Sequence, residues 1–136
     1  MTLLPLLIAL AQTPADLSRL QAAQQLVQEG RGAEAITPLA ELAARFPRSP
    51  EIRFFLGSAL GQAGRLPEAI EQLRIATELD PGFQPALRVL GMFRVQSGDL
   101  LPETKATLER AVELDAADAR ARYWLGRFLL ETRSPV

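Results

Sequence analysis

The sequence predicts an all-α chain, an α-solenoid of stacked antiparallel helix pairs with about seven helices. Three observations predict it. Gly30, Gly64 and Gly98 are spaced by 34 and 34 residues, and Gly57, Gly91 and Gly126 by 34 and 35. Between the glycines, apolar residues fall at helical spacing, as in Ile52, Leu56, Leu60 and Ala63, which line one face of a helix. No stretch shows the apolar–polar alternation of a half-buried strand.

A period of this length marks stacked repeats. Ala35 and Ala69 are 34 apart, with Thr104 in the equivalent place after 35; Pro47 and Pro81 are 34 apart, and Ala116 stands where a third proline would be. One additional residue in GDLLPE (98–103), set against GRLPE (64–68), accounts for the 35-residue steps. The units are 16–49, 50–83 and 84–118, with a partial fourth at 119–136 and an apolar leader at 1–15.

The helices are expected near 14–29, 33–45, 50–63, 67–79, 84–97, 102–114 and 117–132. Thr13, Pro14 and Asp16 give the first one an N-cap, a proline and an acidic group three residues on. Pro38 lies inside the second pattern, where it either removes a backbone bond and bends the helix or marks a late start capped by Thr37. Ser49 and Pro50 open the third helix. Pro67 and Pro102 fit the first turns of the fourth and sixth, where a missing N–H costs nothing. Gly30, Gly64 and Gly98 follow the first helix of each unit and suit the left-handed residue that ends a helix.

A pair of short helices cannot bury its apolar stripes alone, so the pairs must stack. Ala23, Gly57, Gly91 and Gly126 share one place in the first helices; Ala35, Ala69 and Thr104 share one in the second. Small residues there let helix axes approach closely. A mid-helix glycine costs about 1 kcal/mol against alanine, so three at one place imply a compensating contact.

Composition narrows the function. Of 136 residues, 15 are basic and 16 acidic, a net charge of −1, without the basic excess of a dedicated nucleic-acid binder. Cysteine and histidine are absent, which removes thiolate chemistry and the commonest general base and metal ligand. The only lysine, Lys105, has no serine nearby in sequence. Neither an enzyme, a cofactor nor a metal site is expected.

The leader runs apolar from Leu3 to Ala11. As a helix at ~1.5 Å per residue it reaches roughly half of a bilayer core, so no integral span is expected. Ala9-Leu10-Ala11 has the small-x-small pattern of a signal-peptidase site, with Gln12 as the first mature residue, although no basic residue precedes the run. Two readings stand: export, giving a periplasmic or secreted protein, or a cytoplasmic protein whose apolar extension packs on the first helix.

The 34-residue period, LGxALxxxG in the first helix, EAI followed by leucine and alanine in the second, and the closing ELDP together resemble tetratricopeptide repeats over about residues 16 to 132. The family's aromatic at the fourth place of each unit is missing, however, with Arg19, Arg53, Leu87 and Arg122 there. Arg94 also replaces a large apolar residue. The resemblance implies a right-handed superhelix whose first helices line a concave groove that holds a peptide or protein segment.

Carried over place by place, the groove would be lined by Leu17, Leu20, Gln24 and Val27; by Glu51, Phe54, Ser58 and Gln62; by Arg88, Met92, Val95 and Gln96; and by Arg120, Tyr123, Arg127 and Leu130. The binding candidates among them are Leu20, Phe54, Ser58, Arg88, Met92, Arg120, Tyr123 and Arg127. Arginine forks suit carboxylates and aromatics supply anchors, so a ligand with an acidic group and an apolar side chain is expected. The family's chaperone-tail clamp needs a Lys and an Asn one turn apart; Leu20/Gln24, Phe54/Ser58, Arg88/Met92 and Tyr123/Arg127 stand at those places, and the clamp is not expected. The last helix is too apolar for a simple cap. Either two chains pair here, or another protein docks here, or the chain is cut from a longer array; Trp124, Phe128 and Leu129 are the interface candidates, and in the alternative reading the chain is a structural assembly subunit that oligomerises through this helix.

Overall fold

The computed structural model describes residues 13–133; the apolar run from Leu3 to Ala11 and its two readings lie outside the described residues. Among the described residues seven helices follow one another: α1 (Pro14–Gln28), α2 (Gly32–Arg45), α3 (Pro50–Gln62), α4 (Leu66–Leu79), α5 (Gln84–Gln96), α6 (Pro102–Leu114) and α7 (Ala119–Arg133).

Local signals set the helix ends. The Thr13 hydroxyl accepts the Asp16 N–H at 3.1 Å, and the Asp16 carboxylate accepts the Thr13 N–H at 3.2 Å, a reciprocal capping box. Ser49 caps α3 through the Ile52 N–H at 3.3 Å. Gly30, Gly64 and Gly98 have φ of 77°, 80° and 81°. Each glycine's N–H bonds three residues back, and the N–H after it reaches five residues back: Arg31 to Leu26, Arg65 to Leu60, Asp99 to Arg94. This Schellman pattern satisfies carbonyls the helix leaves open.

α2 starts at Gly32 and runs through Pro38, so the late start capped by Thr37 does not occur. Pro38 has no N–H for the Glu34 carbonyl, and the helix tolerates that one lost bond. The inserted residue of the third unit is absorbed by Asp99, whose carboxylate accepts the Leu101 N–H at 3.1 Å and the Thr104 hydroxyl at 3.0 Å. Arg94, the unexpected charge in α5, lies 4.0 Å from the same carboxylate.

Each helix packs on the next, and the first helices also touch in series: α1 on α3, α3 on α5, α5 on α7. No two second helices meet. The first helices therefore form the inner arc, and the second helices splay outside it. Between α2 and α4 the splay leaves an outer cleft of about 430 Å³, floored by Ile36, Ala40, Leu56 and Leu60. The main core takes Leu39, Leu42, Ile52, Leu56, Leu73 and Leu90 from successive layers. Smaller clusters seat α7, one of Leu87, Ala111 and Ala121, the other of Val95, Leu108 and Phe128.

The recurring glycines have the expected reason in two of three places. A Cβ at Gly57 would lie 2.7 Å from Leu73 Cγ of α4, and one at Gly91 would lie 2.3 Å from Leu108 Cδ2 of α6. At Gly126 it would meet nothing within 4 Å among the described residues. Gly57→Ala and Gly91→Ala should each destabilise the chain by about 1–2 kcal/mol, overpacking outweighing the gain in helix propensity. Gly126→Ala should instead stabilise it by up to ~1 kcal/mol. Urea denaturation of the three variants checks the opposite signs.

Candidate functional site

The inner arc is where first-helix side chains not used in stacking collect. On α3, Phe54 is half-buried, its ring edge-on to Phe55 at 5.2 Å and to Phe83 at 5.4 Å between centroids. Ser58 and Met92 are half-buried on α3 and α5. Arg120 and Tyr123 are exposed on α7, Tyr123 to 55%. Arg127 is also exposed and donates to Glu131 at 2.7 Å. The Glu131 carboxylate, with the Tyr123 hydroxyl beside it, holds the Arg127 proton more tightly than usual.

Several expected lining residues have other places. Leu20 is 8% exposed and belongs to the main core; an apolar side chain with buried neighbours on hand packs rather than facing water. Val95 is buried with Leu108 and Phe128. Gln62 crosses to the first unit, donating to the Val27 carbonyl at 2.8 Å. Phe128, expected at an interface, is 3% exposed because it fills the space between Val95 and Leu108, while Trp124 packs half-buried against the same cluster. Leu129, the third interface residue, is 40% exposed.

Arg88 lies on the arc but is engaged within the chain. Its side chain is 23% exposed, with the guanidinium 3.4 Å from Asp118. Asp118 also accepts from Gln84 Nε2 at 2.7 Å and from the N–H groups of Arg120 and Ala121 at 3.0 and 3.3 Å. One carboxylate thus caps α7 and ties it to α5. Sequence reasoning missed this role; its signal was an Asp immediately before a helix start. Burial pushes the Asp118 carboxyl up, but the Gln84 amide, the Ala121 N–H, Arg88 and the Arg120 N–H outweigh it and hold the pKa below its ordinary 3.8. Asp16 follows the same balance: burial raises it, and Thr13, Arg45 and Arg19 bring it below 3.8.

The arc therefore presents an aromatic and thioether floor at Phe54 and Met92, an exposed carboxylate at Glu51, and exposed cations at Arg120 and Arg127. Such a surface can hold an apolar side chain and a carboxylate together. Among the described residues no group of three or more acidic side chains is placed to hold a metal ion, and no helix is long and apolar enough to cross a membrane.

Asp118→Asn provides a test of the α7 tie. Because the folded pKa is depressed, the carboxylate contributes stability above about pH 4. That contribution is lost as pH falls through the folded value. The variant should be less stable than wild type at pH 7, with the gap narrowing as pH falls below the ordinary carboxylate range, measured by urea midpoints across pH.

The sequence profile of the family described as Tetratricopeptide repeat matches residues 20–82 and 94–135. No curated protein matches the chain. Among solved structures, the Sgt2 TPR domain from Aspergillus fumigatus is 18% identical, with 91% of this chain and 87% of that one covered at a TM-score of 0.79. The second TPR domain of human RPAP3, solved with an HSP70 peptide, is 20% identical, covering 83% and 93% at 0.75. The Yersinia enterocolitica type III secretion chaperone SycD, solved with a peptide of the translocator YopD, is 18% identical, covering 90% and 98% at 0.77. With paired helices in register, their first members on the inner arc and the profile matching most of its length, the chain belongs to the tetratricopeptide repeat family.

Proposed function

We propose that this chain is a non-catalytic scaffold that holds a segment of another protein along its inner arc. The observation that carries the reading is the composition of that arc: a half-buried aromatic and thioether floor beside exposed arginines. Similar folds solved with bound peptides, those of RPAP3 and SycD, support it. The ligand chemistry follows from the residues. An apolar side chain would sit against Phe54 and Met92, and a carboxylate would meet Arg120 and Arg127. Arg88 is left out, since it is largely buried against Asp118, whereas the Arg127–Glu131 pair is exposed and weak enough for a ligand carboxylate to compete with. We place the scaffold in the cell envelope on the strength of the apolar run ending Ala9-Leu10-Ala11, which predicts Gln12 as the first residue of the protein recovered from its host.

Selection from a displayed random-peptide library tests the groove. The selected peptides should pair an apolar residue with Asp, Glu or a C-terminal carboxylate and weaken as salt rises. An Arg120→Ala, Arg127→Ala double variant should bind them at least about tenfold more weakly, with its melting temperature within a few degrees of wild type. Equal binding by the variant would remove the arc as the site.

A further inference from the structure

The inner arc carries its free charge in a fixed order. Leu17, Glu51, Pro85 and Arg120 share one place in successive first helices, at steps of 34, 34 and 35 residues. Only Glu51 and Arg120 are charged, with opposite signs, and both are exposed. Neither forms an ion pair among the described residues. Between them Arg88 is neutralised by Asp118, and Phe54 and Met92 lie half-buried. Helix stability accounts for one of the two charges. α1, α2, α3, α4 and α6 each have an acidic residue in the first turn, where it complements the helix dipole; Glu51 is one of these. α7 has none and opens with Arg120 and Arg122, cations at the helix end that disfavours them. Asp118, the carboxylate nearest in sequence, is engaged by Gln84, Arg88 and backbone N–H groups. A cation kept there at a cost to its own helix points to an anion supplied from outside the chain.

Resting on the scaffold reading above, we infer that the arc selects an extended segment of fixed charge order and spacing. A basic side chain lies over α3 at Glu51, apolar side chains lie against Phe54 and Met92, and an acidic side chain lies over α7 at Arg120. Adjacent packed helices stand roughly 8–10 Å apart, and α3, α5 and α7 touch in series. Glu51 and Arg120 are therefore about 16–20 Å apart. An extended chain advances about 3.3 Å per residue and returns to the same face at every second one. The basic and acidic residues of the ligand are thus about six apart, with apolar residues at the alternate places between them. Complementary charges of this kind set register and exclude segments of the wrong order. The direction of the ligand's backbone is free, since either direction can satisfy the same order of side chains.

The probe is the acetylated and amidated peptide Arg-Ser-Leu-Ser-Leu-Ser-Asp, extended by one cysteine at either end. The protein has no cysteine, so a nitroxide attached to that cysteine marks the peptide alone. The peptide should bind the full-length protein, labelled with nitrogen-15, with a Kd on the order of 100 μM. The nitroxide on the basic end should broaden the amides of Glu51 and Phe54 most, and the one on the acidic end those of Arg120 and Tyr123. Glu51→Gln should weaken the peptide about two- to fivefold at low salt and make no difference to a peptide with glutamine for arginine. Arg120→Gln should do the same, judged against a peptide with asparagine for aspartate. Exchanged broadening, equal broadening of both helices from either end, or strictly additive charge changes would overturn the charge order while leaving the arc as the binding site. No broadening on α3, α5 or α7 at millimolar peptide would also overturn it, and the displayed-library selection then decides separately whether the arc binds segments of another order.

Discussion

Everything in this molecule depends on how closely a first helix lies against its own second helix. At Gly57 and Gly91 the missing side chain is the condition of contact: Leu73 and Leu108 occupy the space a methyl group would take. Two such contacts, one repeat apart, fix the depth to which each hairpin closes. The stacking of successive pairs follows from that depth, because Leu39, Leu73 and Leu108, all fully buried, sit at matching places. A hairpin held further open would leave gaps between these leucines, and packed interiors tolerate few voids.

Curvature follows from the same contacts. First helices touch along the series and second helices do not, so the stack bends toward its first-helix side. This orientation sets Phe54 and Met92, half-buried, and Tyr123, exposed, along the first-helix series. Helix propensity alone would leave them anywhere on a cylinder; the register of 34 residues brings them to one side.

Much of this was legible in the sequence, for a physical reason. Helix ends are local: Thr13 caps Asp16 three residues away, and Gly64 ends α3 with bonds spanning at most five residues. Periodicity then extends each local fact to the next unit. What could not be read were polar contacts between units. Gln84 and Asp118 are 34 residues apart, and their 2.7 Å bond has no sequence signature beyond an Asp ahead of a helix. Arg88 therefore read as free when it is held. Leu20 read as lining because it shares a register with Phe54, Arg88 and Tyr123. Register fixes the direction of a side chain and leaves open whether neighbours close over it, and in the first unit they do.

The Asp118 junction has a mechanical meaning of its own. The last helix is joined to the array by two small apolar clusters and by a carboxylate shared between its opening turn and α5. Protonating that one group weakens both the start of the helix and its attachment. Asp16, which caps α1 and pairs with Arg45 of α2, is its counterpart at the other end. Acid would thus loosen the array from both ends inward and leave the middle hairpin, closed by apolar contacts at Gly57, for last.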